Sequence, residues 1–438
     1  MKHTIQYLGV GCAASLLLVG PSSIQTVQAS VNPAQPIIPN KIFDVKNYGA
    51  AGDGVTTDTK AIQAAINAAS AAGGGIVEIP AGIYLCGPLQ LASQINLRVD
   101  KGATLRMLPL KQYPGGIKDP KTFISGEKLH DIAISGSGTI DGQGADWWPY
   151  AKTGTSVVRP RMIHFGGCDR VLIEEVTLCN SPMFHIGIRS DNVTVRGVTV
   201  RAPSSTDPVT PSHNTDACDV SGTNILIENC DISTGDDDYT CGGGTHDVLI
   251  TNCTYGNGHG LSIGSFTDKG GVSNITVVDC TFNNTDTGIR IKSDRDRGGF
   301  VHDVTYRNLR MTNVGTPIKI YGSYHNLVKP FKDFNSLTAK DAATFPAKEV
   351  TRLTPFYRNL TFSNITATVQ PGHRAGMIFG LPEACVTNVP LQNVTITADK
   401  PFGIFYAQGV RVVDCKITTP EGVNKFDTTH ARIEPDSR

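Results

Sequence analysis

The sequence is poor in charge and has no excess of either sign. Its 438 residues include 39 Lys and Arg against 39 Asp and Glu, and charged residues make up 18% of the chain, below the ~25% usual in globular domains. Without a net positive field, the chain has no general attraction for a polyanion, so we expect no nucleic-acid partner. Beyond the first thirty residues it also lacks a run of ~18 apolar residues, so we expect no membrane-spanning helix.

The N-terminus differs from the rest of the chain. Lys2 and His3 precede an apolar stretch over residues 8–20, and a small residue, Ala29, ends the polar segment that follows. This pattern is typical of a secretory signal. We therefore predict a signal peptide at 1–29, an extended leader at 30–40, one domain at 41–438, and a protein secreted to the extracellular space or the periplasm.

A short phrase recurs along the chain. It combines Asn or Asp, alternating apolar residues and a fixed final position, and its clearest copies are Asn224–Cys230, Asp247–Cys253 and Asn274–Cys280. The alternation of β-branched residues predicts one short strand per copy. Strands this short cannot bury a face alone, so the copies must stack. We predict an all-β parallel solenoid of about ten coils.

The final position of each copy points to the interior. It holds, in chain order, Val176, Val198, Cys230, Cys253, Cys280, Leu309, Ile365 and Cys415. Because these are all small or apolar, we interpret Cys230, Cys253 and Cys280 as a stack of buried thiols. In an exported chain, pairing of cysteines into disulfides remains the alternative.

One segment has helical rather than strand periodicity. Apolar residues recur every three or four positions over 59–72, Asp58 or Thr57 can cap the start, and a run of three glycines follows. We predict an amphipathic helix that covers the exposed core of the first coil.

Four polar clusters occur in consecutive coils: Asn214-Thr215-Asp216, Gly235-Asp236-Asp237-Asp238, Gly258-His259-Gly260 and Arg290-Ile291-Lys292. Asp236 and His259 each lie six residues after the inward cysteine of their coil (236 − 230 = 259 − 253 = 6). They should occupy equivalent places one strand spacing of ~4.8 Å apart. The two cations alternate on one strand and therefore share a face.

This combination of residues indicates a reaction class. Crowded carboxylates resist simultaneous ionisation, so one can keep a proton and act as a general acid. Arg290 and Lys292 either neutralise the acids or bind an anionic substrate. Two carboxyl groups on opposite sides of a bond, with cations for a substrate carboxylate, favour hydrolysis of an acidic polysaccharide.

In this order the clusters resemble the polygalacturonase family of glycoside hydrolases, which cut pectin. Further matching pieces are Phe43-Asp44-Val45, residues 138–144 (GTIDGQG), Trp147-Trp148, Asn180-Ser181-Pro182, Gly264-Ser265 and residues 380–383 (GLPE). The resemblance implies a single-stranded, right-handed parallel β-helix with an N-terminal capping α-helix.

The resemblance also implies roles for individual residues. Asp236 would be the general acid, Asp216 and Asp237 would hold the hydrolytic water, and His259 would tune the proton of the acid. The third aspartate, Asp238, stands where the family usually has Cys and leaves a one-residue ambiguity, so Asp237 could instead be the acid.

The substrate contacts follow in the same way. Arg290 and Lys292 would bind a galacturonate carboxylate, and Asn214 would add a polar contact. Tyr324 resembles the family's substrate-contacting tyrosine, with Tyr321 as the competing choice.

The implied function is inverting, metal-independent hydrolysis of α-1,4-galacturonosidic bonds in pectin or polygalacturonate by a monomer that needs no cofactor. Three alternatives stay open. One is hydrolysis of rhamnogalacturonan or another decorated uronide. The second is a Ca²⁺-dependent pectate lyase that uses the aspartates at 236–238, and the third is a non-catalytic carbohydrate-binding β-helix.

Overall fold

The computed structural model describes residues 31–152, 157–324 and 334–434. The predicted signal at 1–29 therefore lies outside the described residues. The described residues form two α-helices, α1 (Thr59–Ala71) and α2 (Ala339–Ala342). They also form four 3₁₀ turns, at Val45–Tyr48, Leu110–Gln112, Gly144–Asp146 and Trp148–Lys152. Within this part of the chain, no helix is long and apolar enough to cross a membrane.

Nearly all the remaining regular structure is strand. The N-terminal strands are β1 Ile42–Asp44, β2 Asp53–Thr57, β3 Gly75–Ile79, β4 Gly82–Cys86, β5 Leu89–Gln90, β6 Ile95–Val99, β7 Ala103–Met107, β8 Ile124–Glu127, β9 His130–Ser135, β10 Thr139–Asp141 and β11 Ile163–Glu174. The central strands are β12 Thr177–Cys179, β13 Ile186–Arg196, β14 Thr199–Arg201, β15 Cys218–Ser221, β16 Thr223–Glu228, β17 Asp231–Thr234, β18 Tyr239–Cys241, β19 Thr245–Thr251, β20 Thr254–Asn257, β21 Leu261–Ile263 and β22 Val272–Val278. The C-terminal strands are β23 Thr281–Asn283, β24 Thr287–Lys292, β25 Phe300–Val314, β26 Thr316–Tyr321, β27 Phe356–Val369, β28 Met377–Phe379, β29 Val386–Thr397, β30 Phe402–Val413, β31 Lys416–Thr419, β32 Gly422–Val423 and β33 Phe426–Glu434.

Apart from β32, which pairs antiparallel with β31, these strands form three parallel stacks, which makes the fold a parallel β-helix. One stack runs from β2 through β4, β7, β10, β12, β14, β17, β20 and β23 to the ends of β25, β27 and β29 and to β31. A second stack, here called the groove sheet, contains β5, β8, the start of β11, the start of β13, β15, β18, β21, β24, β26, β28 and the starts of β30 and β33. Another runs through β1, β3, β6, β9, β11, β13, β16, β19, β22, β25, β27, β29, β30 and β33. This stack has fourteen strands, each a rung that marks one coil, whereas about ten coils were predicted. The prediction was too low because the N-terminal coils lack the recurring phrase.

The interior is built as the recurring position predicts. Cys230, Cys253 and Cys280 are 2%, 1% and 1% exposed, and each thiol donates to the carbonyl two residues earlier at 3.3 Å. The ten cysteines of the described residues are all free thiols. The stacked-thiol interpretation is therefore confirmed, and the disulfide alternative is wrong for these ten residues.

Polar side chains stack on the outside of the turns. Asn192, Asn224, Asn359 and Asn388 all have left-handed backbone, a conformation that Asn tolerates better than most residues. Their amides bond from coil to coil, as in the 2.7 Å bond from Asn224 to Asn192 and the 2.9 Å bond from Asn388 to Asn359.

The leader binds this outer surface. The amides of Asn32, Ala34 and Ile37 donate to the side chains of Asn224, Asn192 and Asp131 at 3.2, 3.3 and 2.8 Å. Those acceptors belong to β16, β13 and β9, so residues 32–37 run across the coils rather than along them. The sequence predicts an extended segment here but gives no sign of these contacts.

Helix α1 covers the first coils, as predicted. Ile62, Ala65, Ile66 and Ala69 are buried, and the amide of Gly74 bonds the carbonyl of Ala69 at the C-terminus. The predicted Asp58 cap is wrong. Its side chain makes no capping bond and instead accepts from the amides of Ala51 and Gly52 at 2.7 and 3.1 Å.

Candidate functional site

The four polar clusters meet on the groove sheet. Asp216, the aspartates at 236–238 and His259 directly precede β15, β18 and β21, while Arg290 and Lys292 lie on β24. Because these strands pair in register, their N-terminal ends are neighbours. Repeat register thus gathers residues up to 76 positions apart in the sequence (292 − 216 = 76).

Asp237 holds the two cations in place. Lys292 Nζ donates to its Oδ2 at 2.9 Å, and Arg290 donates to Oδ1. Ser262 also donates to Oδ1 at 2.9 Å and accepts from Arg290 Nε at 2.9 Å. All these side chains are buried. Of the two uses considered for the cations, neutralising an acid is the one realised in the substrate-free protein.

Asp236 accepts hydrogen bonds from several directions. His259 Nδ1 lies 3.1 Å from its Oδ1, and the amide of Asp237 donates to the same oxygen at 2.9 Å. Oδ2 accepts from the backbone amide and side-chain amide of Asn214 at 3.2 and 3.3 Å. The predicted pairing of Asp236 with His259 on adjacent coils is therefore what the structure contains.

The three predicted carboxyl groups differ in pKa. Burial opposes ionisation of Asp237, but Arg290 and Lys292 outweigh it and hold the pKa well below its usual range. Burial opposes ionisation of Asp236 too, and there the hydrogen bond from His259 brings the pKa below its ordinary value. Burial, together with the charges of Asp236 and Asp237, raises the pKa of Asp216 well above its ordinary value. Asp216 is thus the member of this trio whose pKa the fold raises.

Asp238, the aspartate behind the one-residue ambiguity, faces away from the cations. It is fully buried, accepts from the amide of Gly260 at 3.0 Å and from Thr234 Oγ1 at 3.3 Å, and burial raises its pKa. It therefore fixes the turn that carries His259.

Sequence reasoning missed Arg159. This buried side chain donates to the carbonyls of Pro182 and His213 at 3.0 and 2.7 Å and to Asn214 Oδ1 at 2.9 Å. Since an arginine only donates, it fixes the amide of Asn214 with its NH₂ toward Asp236. Arg159 lies between strands and belongs to no repeated phrase, so periodicity gives no signal for it.

His185 was missed as well. It is 0% exposed, its Nε2 accepts from the amide of Ser181 at 3.3 Å, and its Nδ1 lies 3.2 Å from the carbonyl of Thr215. Burial lowers its pKa to about 4. A neutral imidazole therefore supports the backbone beside Asp216. Its signal was its position three residues after the motif Asn180-Ser181-Pro182.

Of the two candidate tyrosines, Tyr324 is the one that reaches solvent. Tyr321 is 2% exposed, while Tyr324 is half-buried and its ring centre lies 5.0 Å from Lys292 Nζ. The geometry favours Tyr324 for contact with a ligand near the cations.

Asp236, Asp237 and His259 could also offer ligands to a metal, since one atom of each lies within 4.8 Å of the others. The donor set fits a cation poorly, however, because Lys292 and Arg290 already bond both oxygens of Asp237. A metal would have to displace both.

A row of acids beside paired cations, on the open face of a parallel β-helix, is a site that can bind an anionic saccharide and supply both a proton donor and a base. The chain belongs to glycosyl hydrolases family 28, whose family model matches residues 74–409.

Individual relatives support this assignment. A polygalacturonase of Juniperus ashei is 32% identical over 323 residues, which are 69% of this chain and 61% of the relative. An endo-polygalacturonase of Pectobacterium carotovorum is 34% identical over 320 residues, covering 65% of this chain and 77% of the relative. The chain spans only about three fifths of the length of the first three curated relatives, at 61%, 61% and 56%.

Among solved structures, the exopolygalacturonase of Thermotoga maritima superposes with a TM-score of 0.71 at 23% identity, over 92% of this chain and 94% of that one. At this identity the likeness establishes the fold alone. It confirms the predicted parallel β-helix.

Proposed function

We propose that this protein hydrolyses α-1,4-galacturonosidic bonds of polygalacturonate or pectin. The observation that carries the proposal is the compact cluster in which Asp237 bonds Arg290 and Lys292 while the neighbouring Asp236 bonds His259. Similarity to polygalacturonases across the family match supports the choice of substrate.

Substrate binding rearranges the charges of this cluster. A galacturonate carboxylate next to Arg290 and Lys292 takes over hydrogen bonds that Asp237 holds in the free protein, and it brings a further negative charge. Both effects raise the pKa of the neighbouring Asp236, and its protonation removes one of the two charges that raise the pKa of Asp216. Asp236 then gives its proton to the leaving oxygen. Asp216 and Asp237 act as carboxylates that orient the attacking water, one of them accepts the proton that this water loses, and the anomeric configuration inverts.

The test is release of reducing ends from polygalacturonate by the purified protein, with product lengths followed over time. Loss of one acid or base contribution is expected to lower the rate by ~10²–10⁴, so Asp236→Asn and Asp237→Asn should be nearly inactive. Asp207→Asn, on an exposed loop, is the matched control and should keep full activity. Equal rates for all four proteins refute the proposal.

The same reaction separates the alternatives. A lyase forms unsaturated, ultraviolet-absorbing products and stops when a chelator is added, whereas the proposed hydrolysis does neither. Faster product release from rhamnogalacturonan assigns the decorated substrate instead. Retention of the polymer without any products assigns the non-catalytic alternative.

The signal predicted at 1–29 and the polymeric substrate both favour export. We therefore propose a secreted protein, extracellular or periplasmic. N-terminal sequencing of the protein recovered outside the cytoplasm should begin near residue 30, and an uncleaved Met1 there contradicts this.

A further inference from the structure

The groove sheet carries a second set of cations, N-terminal to the catalytic cluster. Ile188 on β13 is fully buried, so Gly187 and Arg189 face the opposite side, toward the groove. Arg189 is exposed. Backbone register runs from Arg189 through Ser221 on β15 and onward to Lys292 on β24. Arg189 and Lys292 therefore stand in one row, four strand spacings or ~19 Å apart.

Arg161 joins Arg189 at this place. Its Nη1 lies 3.4 Å from His164 Nδ1, and its guanidinium lies 5.3 Å from the centre of the Phe184 ring. Burial and the charge of Arg161 lower the pKa of His164. Both effects favour the neutral imidazole, which contributes a polar atom to this place.

Gly187 leaves room between these side chains. A Cβ there would sit 3.4 Å from His164 Nδ1 and 3.7 Å from Arg161 Cδ. Its φ lies outside the left-handed region, so the backbone itself does not require glycine. The absent side chain keeps the groove floor open between the two arginines.

Both arginines are available to bind an anion. Throughout the described ranges, no carboxylate forms an ion pair with Arg161 or Arg189. Two acids lie nearby: Glu127 contacts His164 Nε2 at 3.5 Å with its side chain 64% exposed, and burial raises the pKa of Asp219 on the next rung despite both arginines.

We propose that Arg161 and Arg189, with His164 and the open floor at Gly187, form a second carboxylate-binding subsite for a distant uronate unit of the same polymer chain. This inference rests on the proposed function. The subsite lies along the solenoid axis from Lys292, in the direction a bound polysaccharide must follow, and it holds the chain by charge at two separated points. Only a substrate long enough to contact both Lys292 and this subsite gains binding energy from it.

The test compares kcat/KM on polygalacturonate with kcat/KM on the shortest oligogalacturonide that the wild type cleaves. Ion pairs of exposed side chains are weak, so the double variant Arg161→Gln/Arg189→Gln should lose about tenfold in kcat/KM on the polymer, which corresponds to ~1.4 kcal/mol. It should remain unchanged on the short oligomer. Arg189→Lys keeps the charge and should retain most of the polymer activity. The control is Arg196→Gln, on the same strand β13 but bonded to Glu228.

Binding is measured separately from turnover by native electrophoresis in gels that contain polygalacturonate. The wild type and Arg196→Gln should be retarded, and the double variant much less. Equal losses on polymer and oligomer, or unchanged retardation of the double variant, overturn the subsite. If the wild type is retarded and the double variant is not, but the wild type releases no products, the proposed hydrolysis fails and the subsite stands.

Discussion

Asp216 and Asp237 belong to one cluster, yet their replacement by asparagine should have opposite effects on stability. In Asp237→Asn, Arg290 and Lys292 lose the carboxylate that both of them bond in the buried site. Leaving a buried charge without its partner costs ~3–5 kcal/mol. With an unfolding entropy of ~2.1 cal/mol/K per residue, a domain of roughly 400 residues loses ~0.8 kcal/mol per degree, so Tm should fall by ~4–6 °C.

Asp216→Asn replaces a carboxyl group whose pKa is raised by burial and by the charges of Asp236 and Asp237. A carboxyl whose pKa is raised on folding destabilises the native state at neutral pH, because the unfolded chain ionises it more readily. Tm should therefore stay constant or rise, while polygalacturonate hydrolysis falls in both variants. Differential scanning calorimetry of the two variants and the wild type at pH 7 measures the difference. A fall in Tm for Asp216→Asn equal to that of Asp237→Asn refutes the raised pKa of Asp216.

Three further outcomes follow from the structure. Folding depresses the pKa of Asp237, so the contribution of this carboxylate to stability is complete above its pKa in the unfolded chain, ~3.9, and is lost as pH falls toward its pKa in the folded protein. The difference in Tm between wild type and Asp237→Asn should therefore close on acidification. A constant difference contradicts this. Asp58→Ala should lower the free energy of unfolding by ~1–3 kcal/mol in a denaturant titration, because the amides of Ala51 and Gly52 lose a buried acceptor. The control Asp53→Ala, at the exposed start of β2, should cost less. Equal losses show that the burial of Asp58 does not matter. Because all ten cysteines in the described part of the chain are free thiols, adding dithiothreitol should leave Tm unchanged, and a lowered Tm reveals a disulfide.

The repeat made much of the molecule predictable. The inward position identified Cys230, Cys253 and Cys280 as interior, and a constant offset from it placed Asp236 beside His259. The strands pair with the same register from coil to coil, so the distance of a residue in sequence from the inward position of its coil predicts where it lies. The Asn and Asp residues at the turns were readable for the same reason, since a left-handed corner recurs in each coil.

What the repeat could not supply are contacts made by segments between the rungs. Arg159 reaches Asn214 through a loop whose path depends on tertiary packing, and Asp58 bonds a neighbouring turn rather than its own helix. The raised pKa of Asp216 was also beyond sequence reasoning. It depends on the balance between burial and the surrounding charges, and only three-dimensional distances determine that balance.

The leader has a consequence for how the solenoid unfolds. In a stack of coils, each unit touches only its two neighbours, and stability behaves approximately as a one-dimensional chain of nearest-neighbour couplings that can melt from an end. Residues 32–37 bond β16, β13 and β9 together, which adds a coupling between β9 and β16, two strands that do not pair with each other. This coupling favours joint opening of the coils from β9 to β16, so the N-terminal half of the solenoid resists the stepwise fraying that its architecture otherwise permits.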